Sequence, residues 1–418
     1  MSPTAPAAPG AVTTRLAAGG LAVLTLVNLF NYLDRYVVAS LVESLRASEL
    51  RLTDTQAGTL MTGFVLVYMA ASPFFGVLGD RGSRPRLLAL AVFVWSLATA
   101  AAGLARGFAS LFAARAAVGI GEAGYGTVAP SLLADYFPRE KRGRVYAIFF
   151  CAIPIGSALG YVVGGWADVN LGWRNAFFVA GLPGVLLSFL ALSLPDPPRG
   201  VTDEAETPPD GAPADSGWRS YAALARNRPF RLAVLGYAAY TFGLGGMAFW
   251  MPAFLERVRG VPKETATVTF GLVVVATGFV GTFAGGFVGD ALLKRTREAY
   301  LWVSGVSALL AVPFTVVALT VPSPSVHLPA LVVAQLLVFA STGPVNSAIV
   351  NDVLPWQRAA AVAACNFTIH VFGDVPSPPL IGALSDATSL ASAVLLVPAA
   401  FLVGGAIWTF GAATGRRA

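Results

Sequence analysis

Apolar residues in this chain run in long blocks broken by short clusters of charge, proline and glycine, the pattern of helices that cross a bilayer rather than of half-buried soluble elements. A spanning helix needs about 20 residues. Twelve blocks reach that length: 16–42, 54–79, 86–105, 110–136, 143–168 and 173–194, then 229–254, 266–290, 299–321, 328–353, 359–384 and 389–411. Between the sixth and seventh lies the longest polar stretch, rich in Pro, Asp, Glu and Gly, with the composition of a flexible linker. The expected fold is all-α and membrane-integral: twelve transmembrane helices in two six-helix bundles, 1–195 and 229–418, joined by a linker at 196–228.

Composition strengthens this reading. Of 418 residues, 56% are hydrophobic and 12% charged, against about 25% charged in an average soluble domain. The net charge of +6 has a topological explanation, so it does not indicate nucleic acid. With the N-terminus cytoplasmic, nineteen Lys and Arg fall on the inner side and seven on the outer. The positive-inside rule then places both termini in the cytoplasm. The run from Leu16 has no small-residue cleavage site after it, so it is read as a retained first span. Cys151 and Cys365 lie in apolar blocks and read as inert packing residues.

Two echoes relate the halves. Gly76-Val-Leu-Gly-Asp80 closes the second block and Gly286-Phe-Val-Gly-Asp290 the eighth, each followed by basic residues. Asp135-x-x-Pro138 and Asp352-x-x-Pro355 follow the fourth and tenth. Internal duplication of this kind marks secondary transporters.

Four charges sit deep in apolar blocks of the first half: Asp34 and Arg35 in the first, Arg115 and Glu122 in the fourth. An intramembrane charge costs several kcal/mol and persists when it is paired or lines a polar cavity. Arg115 and Glu122, seven residues apart, share one helix face at a separation of about 10 Å. Depth counting sets Arg35 against Glu122 and Asp34 against Arg115. A permanent ion pair that locks helices is one reading. A switchable, proton-carrying set is the other, because a fixed pair is replaceable by apolar packing at little cost.

The segment Gly76-Val-Leu-Gly-Asp-Arg-Gly-Ser-Arg-Pro-Arg86 resembles the cytoplasmic-loop signature of the major facilitator superfamily, with Ser83 and Pro85 departing from it. Four further stretches narrow the resemblance: Asn31-Tyr-Leu-Asp-Arg35; Arg115-Ala-Ala-Val-Gly-Ile-Gly-Glu-Ala123 running on to Pro130; Ile153-Pro-Ile-Gly-Ser-Ala-Leu-Gly160; and His370-x-x-Gly-Asp374-x-Pro-Ser-Pro378. From about Asn28 to Asp386 the chain is similar to the spinster branch of that superfamily. The resemblance implies a multi-pass plasma-membrane transporter, working by alternating access and without cofactor or metal. Its implied substrate is an amphipathic, lipid-like molecule held between the halves. Glu122 and Asp34 are then the proton carriers. Arg35, Arg115, Tyr125, His370 and Asp374 are the substrate contacts, and Asp80, Arg84, Asp135 and Arg144 the cytoplasmic gate. A monomer among membrane lipids is expected. The alternative substrate is a drug or small organic anion carried by proton antiport.

Other features stay open at this stage. His370 and Asp374, four residues apart, read as a proton relay or headgroup contact, or as a structural hydrogen bond. The Asp374-x-Pro376-x-Pro378-Pro379 run predicts a distorted helix. His327 is placed in an outer loop. Gly156-x-x-x-Gly160-x-x-x-Gly164 and Gly281-x-x-x-Gly285 predict close helix packing or a sliding surface. Gly243, Gly245 and Gly246, among aromatics, suggest a bendable gate or an interfacial ring cluster. With no nucleotide loop, metal-ligand cluster or nucleophile–base set, an enzyme is not expected. A non-transporting receptor predicts that the buried charges are dispensable.

Overall fold

The structure, a computed structural model, describes residues 12–202, 218–353 and 357–415, and all regular structure among them is helical. The helices are α1 (Thr14–Ser40), α2 (Val42–Ala47), α3 (Asp54–Arg81), α4 (Arg84–Ala102), α5 (Phe108–Tyr136), α6 (Arg139–Leu171), α7 (Trp173–Leu192), α8 (Trp218–Arg226) and α9 (Arg228–Arg257). They continue as α10 (Lys263–Leu293), α11 (Ala299–Thr320), α12 (Pro324–Asn351), α13 (Arg358–Ile369), a π-helical turn (His370–Asp374), α14 (Ser377–Ala387), α15 (Leu390–Ala393) and α16 (Leu396–Thr414).

Among the described residues, ten helical segments are long and apolar enough to cross a bilayer. Two predicted blocks fall outside that set for chemical reasons. In α5, Arg115, Glu122 and many glycines dilute the hydropathy. The eleventh block is helical but interrupted, as α13, the π turn and α14. Pro376 has no N–H to donate and its ring crowds the preceding turn, so the bond there slips to Val375 N donating to the His370 carbonyl at 3.1 Å. The expected distortion thus takes the form of a single π turn. His327 is corrected: it lies in the first turn of α12 and is buried.

The chain divides into two compact units. One comprises residues up to Ser44 with Gly63–Pro208, the other Leu45–Thr62 with the residues from Pro209 onward. In the first unit α1 packs on α6 and α7, and α4 on α5 and α7. Small residues set these distances. At Gly160 an added Cβ would lie 2.6 Å from the Leu33 carbonyl oxygen and 3.0 Å from Tyr36 Cβ, so the α1 backbone approaches only because no side chain intervenes. Gly172, with φ at +85°, turns the chain sharply from α6 into α7.

In the second unit α9 packs on α16 and on the π turn, and α12 on α10 and α11. Asn227 caps α9, accepting from Phe230 N at 3.2 Å, while its Nδ2 donates to the Asp352 carbonyl at 2.9 Å. Helix α9 runs unbroken through Gly243, Gly245 and Gly246. These glycines make room for Phe401, Asp374 and Ile381 respectively, and Tyr240, Phe249 and Trp250 are buried. The cluster is a packing surface. By contrast, Phe283 and Phe287 of α10 are more than 70% exposed, as expected of a helix face solvated by lipid.

Candidate functional site

The four buried charges of the first unit meet where α1 crosses α5. Arg35 Nη2 donates to Glu122 Oε2 at 2.7 Å and its Nε to the same oxygen at 3.2 Å. The rings of Tyr32, Phe64 and Tyr68 surround the guanidinium at 4.7, 4.9 and 5.6 Å, a favourable setting for a partly desolvated cation. The Glu122 side chain is fully buried, whereas that of Arg35 keeps 19% of its surface.

The second pairing takes a different form from the one depth counting suggested. Arg115 Nη1 donates to the main-chain carbonyl of Asp34 at 3.3 Å, not to its carboxylate. That carboxylate accepts from Thr99 Oγ1 of α4 at 3.2 Å. Depth and helical phase could not resolve this, because consecutive residues on α1 point about 100° apart and only one reaches the α5 face. Asp34 Oδ1 and Arg115 Nε and Nη2 are buried with no hydrogen-bond partner among the described residues. Most buried polar atoms in proteins are paired, so these three stand out within the cluster.

A cavity of about 120 Å³ adjoins the pair, lined by Asn28, Asn31, Tyr32, Arg35, Glu122 and Tyr125 among others. Tyr125 contributes its ring, but its hydroxyl is used to donate to the Leu24 carbonyl. In the second unit His370 Nδ1 lies 3.0 Å from both carboxylate oxygens of Asp374, across the π turn. Their side chains are partly exposed, at 31% and 22%.

Of the four residues assigned to the cytoplasmic gate, two come together. Arg84 and Asp135 form a buried ion pair. Asp80 and Arg144 are exposed and make no ion pair among the described residues. Asp196, read in the sequence as linker, completes the cluster. It accepts from Arg84 Nε at 2.9 Å and Arg84 N at 3.1 Å. Gly200 N donates to Asp135 at 2.9 Å, and Arg199 reaches the Gly82 carbonyl at 2.7 Å. The missed signal was the Pro195-Asp-Pro-Pro sequence, because proline-rich segments are stiff and extended and so deliver side chains to fixed places.

A second missed cluster lies in the second unit. Asp54, buried, accepts from Arg257 Nη1 at 2.6 Å and Nη2 at 2.9 Å, and Arg46 Nε lies 2.8 Å away. Ser385 donates to it at 2.5 Å. Asp386 in turn accepts from the backbone N–H of Asp54 at 2.9 Å and of Thr55 at 2.8 Å, capping α3.

An all-helical membrane chain, with charges buried against a small polar cavity, has the structure of a transporter. The Major Facilitator Superfamily family model matches residues 24–378. The chain is 35% identical over 391 residues to protein spinster homolog 1 of Homo sapiens, covering 88% of this chain and 72% of that protein. It is 34% identical to protein spinster of Drosophila melanogaster, covering 87% of this chain but only 61% of the fly protein's length. It is 32% identical to the sphingosine-1-phosphate transporter of Mus musculus, with 92% and 75% covered. The crystal structure of a bacterial homolog to the human lysosomal transporter spinster, inward-facing and unoccupied, superposes with a TM-score of 0.82 at 24% identity, covering 96% of each chain. The chain therefore belongs to the major facilitator superfamily and, within it, to the spinster family. It is a multi-pass membrane transporter, not an enzyme.

Proposed function

We propose that this protein is a proton-coupled secondary transporter that works by alternating access on a lysolipid- or sphingoid-like amphiphile. In this reading it has twelve spans in six-helix bundles, 1–195 and 229–418, with both termini and the 196–228 linker cytoplasmic, and resides in the plasma membrane. The observation that carries it is the Arg35–Glu122 pair, membrane-buried and bordering a polar cavity. Glu122 carries the proton, with Asp34 as its neighbour in the same set. Arg35 and Arg115 hold an anionic group, Tyr125 walls the cavity, and His370 and Asp374 are contacts from the second unit. The Arg84–Asp135–Asp196 cluster is the gate element, with Asp80 and Arg144 recruited in another state. The substrate class rests on the sphingosine-1-phosphate transporter among the relatives.

The test is transport of a labelled lysophospholipid into proteoliposomes across a pH gradient. Glu122→Gln should abolish the dependence of rate on the gradient while leaving substrate binding measurable. Unchanged gradient dependence would remove Glu122 from the coupling. The small volume of the polar cavity favours, as a second reading, a small organic anion. Competition by short-chain carboxylates but not by lysophospholipids would select it.

A further inference from the structure

Helical spacing builds the polar cavity beside Arg35 from two stripes. Asn28, Tyr32 and Arg35 line it from one face of α1, and Glu122, Gly126 and Pro130, each about one turn from the next, from one face of α5. Tyr68 of α3 also borders it, with Phe149 and Ile153 of α6. The volume of about 120 Å³ is well below the roughly 300–1,000 Å³ of pockets that take a whole drug-sized ligand. The cavity has room for one compact polar group.

Two donors on its walls are unused. Arg35 gives Nε and Nη2 to Glu122, and its Nη1 makes no hydrogen bond among the described residues. Tyr68 Oη makes none either, although its ring centroid lies 5.6 Å from the Arg35 guanidinium carbon. The place of that hydroxyl is set by Gly126, whose Cα is exposed. An added Cβ there would lie 2.7 Å from Tyr68 Oη but 3.6 Å from the ring carbons Cε2 and Cζ. The collision is with the oxygen alone. Gly is a poor residue for a helix interior, and Gly126 has no positive φ that would require it. What uses the missing side chain is the hydroxyl of Tyr68.

We propose that Tyr68 Oη joins Arg35 Nη1 in holding the anionic group of the substrate, that Gly126 is the gap that admits this hydroxyl, and that the group selected is compact, as in a phosphate monoester. A cation and a neutral donor on adjoining walls suit two oxygens of one phosphate. A phosphodiester capped by choline is too large for the same space. The inference rests on the amphiphile reading above and adds to it a binding residue and a headgroup class.

The test uses the full chain in nanodiscs and three lipids of one acyl chain: lysophosphatidic acid, lysophosphatidylcholine and monoacylglycerol. Each competes with a fluorescent lysophosphatidic acid. The wild type should prefer lysophosphatidic acid to lysophosphatidylcholine about tenfold or more. Tyr68→Phe removes only the hydroxyl. It should weaken lysophosphatidic acid about tenfold or more, as loss of a hydrogen bond to a charged group does. Monoacylglycerol, which carries no anion, should keep its affinity. Gly126→Ala should cost a similar factor alone, because its methyl expels the hydroxyl, and less than twofold when added to Tyr68→Phe. If Gly126→Ala folds poorly, Tyr68→Phe decides alone. The proposal is overturned if Tyr68→Phe shifts lysophosphatidic acid less than twofold, or if monoacylglycerol weakens equally. It is also overturned if Gly126→Ala costs the same in both backgrounds, or if lysophosphatidylcholine binds as tightly as lysophosphatidic acid. Failure of the wild-type chain to bind any of the three lipids overturns the amphiphile reading itself.

Discussion

Removing Arg35 tests the central pair most directly. Arg35→Ala leaves the Glu122 carboxylate fully buried, with its two hydrogen bonds from Arg35 gone. Breaking a buried pair by removing one partner costs about 3–5 kcal/mol. Glu122→Gln is milder. Arg35 retains part of its solvent contact and three aromatic faces, so the cost is about 1–2 kcal/mol, that of one charge-assisted hydrogen bond. The double variant leaves no uncompensated charge and should be more stable than Arg35→Ala alone, giving a coupling of about 2–3 kcal/mol. In a detergent melt at roughly 2–4 °C per kcal/mol, Arg35→Ala should unfold on the order of 10 °C below the wild type, with several degrees recovered on adding Glu122→Gln. Additive effects, or an Arg35→Ala melt within 2 °C of wild type, would refute the argument that Arg35 compensates the buried charge of Glu122.

Three further outcomes follow from other contacts. A methyl at Gly285 collides with the Ala340 main-chain carbonyl, whereas Gly286 has nothing within 4 Å; Gly285→Ala should sharply reduce folded yield by size-exclusion chromatography and Gly286→Ala should not. Arg84→Ala leaves Asp135 and Asp196 without their shared cation, so limited proteolysis should cut within 196–202 faster than in the wild type. Asp54→Asn weakens the paired bonds to Arg257, by about 1–3 kcal/mol, and amide exchange in the first turn of α3 should accelerate. Unchanged exchange there would show that the Asp386 cap suffices alone.

Much of the fold was legible because a bilayer punishes exceptions. Unsatisfied backbone groups cannot face hydrocarbon, so apolar block lengths become helix lengths, and the block written as 299–321 is Ala299–Thr320 in the structure. Legibility failed where side-chain reach decides. Asp34 and Arg35 were visible as costly charges, yet the carboxylate of Asp34 goes to Thr99 and only its main chain meets Arg115. Asp196 sat in a stretch whose composition matched a linker, and its docking depends on Arg84 and Asp135, which are distant in sequence. Asp54 stands at the start of the block 54–79, and nothing local marks it out. Its partners Arg257 and Ser385 are about 200 and 330 residues away, too far for any local pattern.

The π turn at His370–Asp374 gives one helix two frames. Its extra residue sets everything beyond it about 100° out of phase with α13, and it is in that shifted frame that Ser377 bonds the Phe242 carbonyl and Ser385 reaches Asp54. Deleting one residue from the turn would remove that phase shift and rotate both serines off their partners. The register of the His370–Asp374 turn thus sets where α14 presents Ser377 and, some ten residues on, Ser385.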